Sequence, residues 1–238
     1  MKILIIIPAY NEEDSIEKVI KSLTMVSEEF DYVVINDCST DATESVLKRM
    51  NANYISLPIN LGIGGGVQTG YIYAKEKGYD IAIQLDGDGQ HDAKYISNLI
   101  EPILVGCADM TIGSRFINNE GFQSSMMRRV GIVFLNWLIR ICCGVQIKDV
   151  TSGFRAVNKK TIELFAEEYA QDYPEPEAII TAAFHNVRIK EIPVVMTERQ
   201  GGKSSISQIK SIYYMIKVSL AIIFKRCFEG RKKNELDA

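Results

Sequence analysis

Short apolar runs alternate with helical segments through the first half of this chain, and that rhythm limits the folds open to it. Lys2–Ile7, Tyr32–Ile35, Tyr54–Leu57, the run from Tyr79 that ends at Asp86, and Met110–Gly113 are strand-length and mostly apolar. Such runs suit strands covered on both faces, as in a parallel sheet. Between them lie helix-length segments. Asp14 can cap a helix on which Ile16, Val19, Ile20 and Leu23 share a face, and Ser39 or Thr40 can open a second over 41–50. A glycine-rich loop over 60–66 leads to a third helix ending at Lys77, and a fourth spans Ala93–Leu104. Parallel neighbours need crossovers of this kind. The pattern predicts an α/β fold: a mostly parallel sheet flanked by helices.

Ligands of such sheets bind beyond the carboxyl ends of the strands. Asn11, Asp37, Asn60, Asp86 and Arg115 each follow a predicted strand end, so one rim is expected to collect them. The second half reads differently. Met126–Cys143 is a long, mostly apolar helix, and Asp149–Arg155 is a polar loop entering a short strand. Tyr173-Pro174-Glu175-Pro176-Glu177 opens a helix to about His185, a strand spans Arg188–Val195, a loop covers 198–205, and a final helix starts near Ser207. With 238 residues, 47% of them hydrophobic, the chain can bury one large core. No internal repeat or linker divides it. The expected organisation is one domain over 1–205 and a C-terminal amphipathic, basic helical tail over 206–238.

Leu85-Asp86-Gly87-Asp88-Gly89-Gln90-His91 is the strongest chemical signal. Side chains two apart in an extended chain point the same way, and the glycines let a ligand approach. Mg²⁺ takes one or two carboxylates plus substrate phosphates, so the pair suggests a metal-bridged phosphate compound; Asp and Gly are also ordinary turn residues. His91 could join as a ligand, but a hydrogen-bonding rim residue is the simpler reading, and His185 reads as structural. A departing diphosphate needs further positive charge, which Arg115, Arg155 and Arg199 could supply; each could instead form a salt bridge. Glu175 and Glu177 stand at a helix start, where the dipole favours carboxylates, as a base or merely as helix-end charge.

Other classes are disfavoured. A net charge of -3 argues against a nucleic-acid binder. The turn after the first strand, Pro8-Ala9-Tyr10-Asn11-Glu12, lacks the glycines of a dinucleotide fingerprint. Five cysteines, odd in number and without ligand spacing, suggest a reducing cytoplasm. Lys2–Pro8 is too short for a membrane span. Ile206–Phe228 is apolar but interrupted by Lys210, Lys217, Lys225 and Arg226, and Arg231-Lys232-Lys233 follows. That suits a helix lying on an anionic membrane; packing on its own domain or on a small membrane protein is the alternative.

In this order, these residues resemble the family 2 glycosyltransferases of GT-A (Rossmann-like) fold, in particular the dolichol- or polyprenyl-phosphate sugar transferases and related bacterial cell-surface polysaccharide enzymes. The resemblance covers about residues 1–205. It implies an inverting, metal-dependent transfer from a nucleotide diphosphate sugar to a polyprenyl-phosphate or lipid-linked glycan acceptor. It assigns Asp86, Asp88 and Gln90 to Mg²⁺ or Mn²⁺. Pro8, Tyr10, Asn11, Glu12, Asp37, Ser39, Asn60, Gly62, Asp86, Gly87 and Arg115 fall to the donor, with Asp37 contacting the base; a carboxylate can accept from a ring N–H, which points to a uracil- or thymine-type base. Asp88, Glu177, Arg155 and Arg199 are the catalytic candidates, with Glu175 the alternative base. The branch commonly carries Arg-x-x-Gly-x-Ser-Lys near here; Arg199, Gly202 and Ser204 fit, but Ser205 stands in place of the lysine, with Lys203 nearby. The expected setting is the inner face of the cell membrane, peripheral from the cytoplasm, with a homo-oligomer left open. The alternatives are a nucleotidyltransferase making a nucleotide sugar and a non-catalytic scaffold for a membrane partner.

Overall fold

The computed structural model describes residues 1–26, 30–123, 126–198 and 215–227. In chain order the elements are β1 (Ile3–Ala9), α1 (Ile16–Val26), β2 (Asp31–Asn36), α2 (Thr43–Arg49), β3 (Tyr54–Ser56), α3 (Gly62–Lys77) and β4 (Ile81–Gln84). There follow α4 (Ile96–Leu104), β5 (Met110–Ser114), α5 (Met126–Cys143), β6 (Arg155–Asn158), α6 (Lys159–Glu167), α7 (Pro174–Phe184) and β7 (Ile189–Pro193). A helix over 215–227 is α8.

The strands form one seven-stranded sheet in the order β3-β2-β1-β4-β6-β5-β7. β1 runs parallel to β2 and β4, β2 to β3, and β5 to β7. Only β6 is antiparallel, to both its neighbours. Alternate side chains of β1 feed opposite faces, as a period of two requires. Leu4 and Ile6 join Val33, Ile35 and residues of α3, α5, α6, α7 and α8, whereas Ile5 and Ile7 join Val34 and residues of α1, α2 and α4. Each such aliphatic side chain contributes about 1.5–3 kcal/mol on burial. Two helical layers on a largely parallel sheet are the architecture expected from the alternation.

Three local expectations are corrected. The glycines over 62–66 are not a loop but the first turns of α3. Gly64 serves close packing, since a β-carbon on it would come 2.1 Å from Ala170 O; further along α3, one on Gly70 would come 2.2 Å from Ile6 Cγ2. Helix α6 was not expected. Asn158 caps it by accepting from Thr161 N at 3.0 Å, and Ile162 and Phe165 enter the core. The strand expected over Arg188–Val195 is shorter, Ile189–Pro193. The expected start of the last helix near Ser207 lies outside the described residues.

The reversed strand matters for the site. Because β6 runs against β4, with Gln84 opposite Arg155, the loop entering β6 lies at the same rim as the end of β4. Asp149–Phe154 is thereby delivered over Asp86.

Candidate active site

Three strand tips form a hydrogen-bonded cradle. Asn11, at φ 57°, follows β1; its N–H donates to Ser39 Oγ (3.0 Å) and its Oδ1 accepts from Thr40 N (2.8 Å). The Glu12 N–H donates to Thr43 Oγ1, and the buried Glu12 carboxylate accepts from Ser15 Oγ at 2.9 Å. Asp37 is buried after β2, and its Oδ1 accepts from Leu61 N at 2.7 Å. Asn60 closes this arc: its Nδ2 donates to Asp37 O, and its Oδ1 accepts from Gly62 N. Tyr10 is 47% exposed beside the arc, a platform of the kind that stacks a base. Pro8, Tyr10, Asn11, Glu12, Asp37, Ser39, Asn60 and Gly62 are therefore gathered at one place.

The acid loop is tied to this cradle. Gly87 N donates to Pro8 O at 3.2 Å, and a β-carbon there would stand 3.0 Å from that oxygen. Asp88 Oδ1 accepts from Gln90 N at 3.0 Å, Gly89 turns at φ 77°, and Gln90 Nε2 reaches Thr197 O at 3.4 Å. Asp86 is held from behind. Its N–H donates to His91 Nδ1 (3.1 Å), and Gln84 Nε2 lies 3.4 Å from its Oδ1. Tyr169 Oη donates in turn to Gln84 Oε1 at 3.3 Å. Burial pushes the Tyr169 phenol well above its ordinary range and takes His91 down to about 4, so both are neutral near pH 7. Among the described residues no three His, Cys, Asp or Glu side chains cluster as metal ligands. Two hard oxygen donors at an open rim fit a cation that completes its shell with phosphate and water.

Two of the three arginines are turned inward. Arg115 is buried with a bidentate grip on Asp149, Nε–Oδ2 and Nη2–Oδ1 both 2.7 Å, and Nη2 also reaches Thr151 Oγ1. Arg155 is fully buried, donating to Ser152 O (2.7 Å) and Val150 O (3.3 Å). Here they brace the loop over the acid pair, so the phosphate contact expected of them is not what this geometry shows. Arg199 lies outside the described residues, as does the rest of the Arg-x-x-Gly-x-Ser sequence.

Glu175 and Glu177 both fall in the first turn of α7, about 200° apart around the helix. Glu175 acts electrostatically on Tyr169, which Asp86 also influences. Glu177 lies in the field of Lys217 and Lys225 on α8 and of Asp172, and burial raises its carboxyl above the usual range. Glu175 and Asp86 thus both act on Tyr169, whereas the charges around Glu177 come from α8 and Asp172. His185 caps α7, its Nδ1 2.9 Å from Thr181 O. Sequence reasoning did not single out Gln84 or Tyr169; a glutamine closing an apolar strand was the available signal for the first.

Helices α5 and α8 lie side by side, with Met215 Sδ 3.1 Å from a β-carbon position on Gly131. Val218 and Ile222 are buried in the core, while Lys217 pairs with Asp172 and Lys225 with Glu168. Outward, both keep apolar stripes: Val130, Val133, Phe134, Trp137 and Ile141 on α5, and Ile216, Leu220, Ile223 and Phe224 on α8. Among the described residues no helix is long and apolar enough to cross a membrane.

Residues 4–165 match the profile described as Glycosyl transferase family 2. The UDP-N-acetylglucosamine–dolichyl-phosphate N-acetylglucosaminyltransferase of Methanococcus voltae is 32% identical, over 81% of this chain and 84% of its own length. The undecaprenyl-phosphate mannosyltransferase of Micrococcus luteus is 30% identical over 87% and 88%. Among solved structures, glucosyl-3-phosphoglycerate synthase from Mycobacterium tuberculosis, with Mn²⁺, UDP-glucose and phosphoglyceric acid, superposes with a TM-score of 0.71. It is 20% identical, with 95% of this chain and 79% of that one covered. At that identity the likeness speaks to the fold.

Proposed function

Because this chain belongs to glycosyl transferase family 2, we propose that it moves a sugar, with inversion, from a nucleotide diphosphate sugar to a polyprenyl phosphate or lipid-linked glycan. The observation that carries this reading is the bond from Gly87 N to Pro8 O, which joins the acid pair to the strand-tip cradle. A nucleoside in the cradle then places its diphosphate at Asp86 and Asp88. Relatives that act on dolichyl and undecaprenyl phosphates supply the acceptor class.

Asp86 and Asp88, with Gln90, would hold Mg²⁺ or Mn²⁺, which when bound draws charge from the departing nucleoside diphosphate. Asp37 and Tyr10 orient the base. The inward-turned Arg115 and Arg155 keep the loop over Asp86 in place, leaving Arg199 for the phosphates. A lipid phosphate attacks as an anion and needs no base; a sugar hydroxyl would give its proton to a carboxylate, for which Glu177 and Glu175 are the candidates. The apolar stripes of α5 and α8 support docking from the cytoplasm on the membrane that carries the acceptor, with Trp137 suited to the interface.

The test incubates the protein with vesicles containing undecaprenyl phosphate, Mn²⁺ and a panel of nucleotide sugars. Free nucleoside diphosphate should appear in step with lipid-linked sugar, and Asp88→Ala should abolish both. Pyrophosphate release would indicate nucleotidyl transfer, and no turnover with any donor would favour a scaffold.

A further inference from the structure

We propose that His91 is the positioning residue of Asp86, fixing its backbone through Nδ1 and lying against its carboxylate through Nε2. This rests on the reading of Asp86 and Asp88 as a metal pair. The Asp86 N–H donates to Nδ1 at 3.1 Å. That nitrogen must present its lone pair, so the ring proton is on Nε2. Nε2 stands 3.9 Å from Asp86 Oδ2, too far for a hydrogen bond but close enough to present a positive edge to that oxygen. One imidazole therefore engages both the main chain and the side chain of a single residue.

The ring cannot swing away. Its side chain is 4% exposed, and it stacks on Phe154 with centroids 5.0 Å apart and planes 11° apart. Phe154 belongs to the loop that Arg115, Asp149 and Arg155 hold down. The neighbouring Gly153 closes on the same carboxylate: a β-carbon there would come 2.7 Å from Asp86 Oδ2. Gln84 approaches the other oxygen at 3.4 Å. Asp86 is thus enclosed on its inner sides, with its side chain 29% exposed. Groups behind a metal ligand commonly change metal affinity 10- to 100-fold when removed.

The experiment reads metal binding rather than turnover. Mn²⁺ is titrated in the presence of UDP and followed by electron paramagnetic resonance, with the melting temperature recorded for each protein. His91→Phe keeps a ring against Phe154 but offers no acceptor, and its Mn²⁺ affinity should fall at least tenfold. His91→Asn places an acceptor near the Nδ1 position and should recover most of that loss. His91→Gln, whose amide reaches instead toward the Nε2 position, should recover less, and this pair decides the matter should the phenylalanine variant not fold. Wild-type affinity in His91→Phe, or equal affinities in the asparagine and glutamine variants, overturns the assignment. Failure of the wild type to bind Mn²⁺ with UDP overturns the metal-pair reading itself, and this inference with it.

Discussion

Gly153 lies directly against Asp86: a β-carbon on it would stand 2.7 Å from Oδ2 and 3.0 Å from Oδ1. The backbone of Gly153 is outside the left-handed region, so alanine meets no conformational penalty there, but it meets the carboxylate and, at 3.1 Å, Gln84 Nε2. Gly153→Ala should displace Asp86 and lower sugar transfer at least tenfold, about 1.4 kcal/mol. Its melting temperature should move by only a few degrees. Steady-state kinetics beside a melting curve check this; unchanged transfer would show that Gly153 does not constrain Asp86 for the reaction.

The Arg115–Asp149 pair is buried on both sides, Asp149 fully so. Asp149→Ala would leave a guanidinium buried without its partner, a loss of about 3–5 kcal/mol. Arg115→Met combined with Asp149→Leu should recover much of it, because desolvating the pair offsets most of its attraction. Urea unfolding of these two variants beside the wild type reads both effects.

Asp109 accepts from Arg188 Nε at 2.8 Å and Nη2 at 2.9 Å and from Asn158 Nδ2, joining β5, β6 and β7 at their far ends. The Arg188 guanidinium holds the Asp109 carboxyl at about 2, against an ordinary 3.8. As pH falls the unfolded chain takes up this proton first. The pair's contribution is therefore whole above pH 3.8 and lost as pH drops through 2. Denaturant midpoints should decline less steeply across that window in Asp109→Asn than in wild type.

The stripes of α5 and α8 make a prediction for lipid. Trp137 is 56% and Ile141 61% exposed. Trp137→Glu with Ile141→Glu should reduce cosedimentation with anionic phospholipid vesicles at least tenfold, with little change in melting temperature. Unaltered cosedimentation would take α5 out of the membrane-facing surface.

Much of the site was legible because strand tips advertise themselves. Asn11, Asp37, Asn60 and Asp86 each end an apolar run, and a parallel sheet brings such ends to one edge. The arginines were not legible in the same way. Arg115 also follows a strand, yet its side chain turns back onto Asp149, which is 34 residues further on. Charge at a strand end indicates position, not direction. The α3 glycines misled for a related reason: the need for glycine at Gly64 came from Ala170 and Gln171, neither of which is near in sequence, so the stretch read as a loop.

The alternation of apolar runs and amphipathic helices was enough to determine the α/β class, the rim and the acid pair, since each depends on local periodicity and chain connectivity. The reversal of β6 and the descent of Gly153 and Phe154 onto Asp86 and His91 were decided only by tertiary structure. These depend on which distant surfaces exclude water together, and packing between distant segments leaves no period in the sequence.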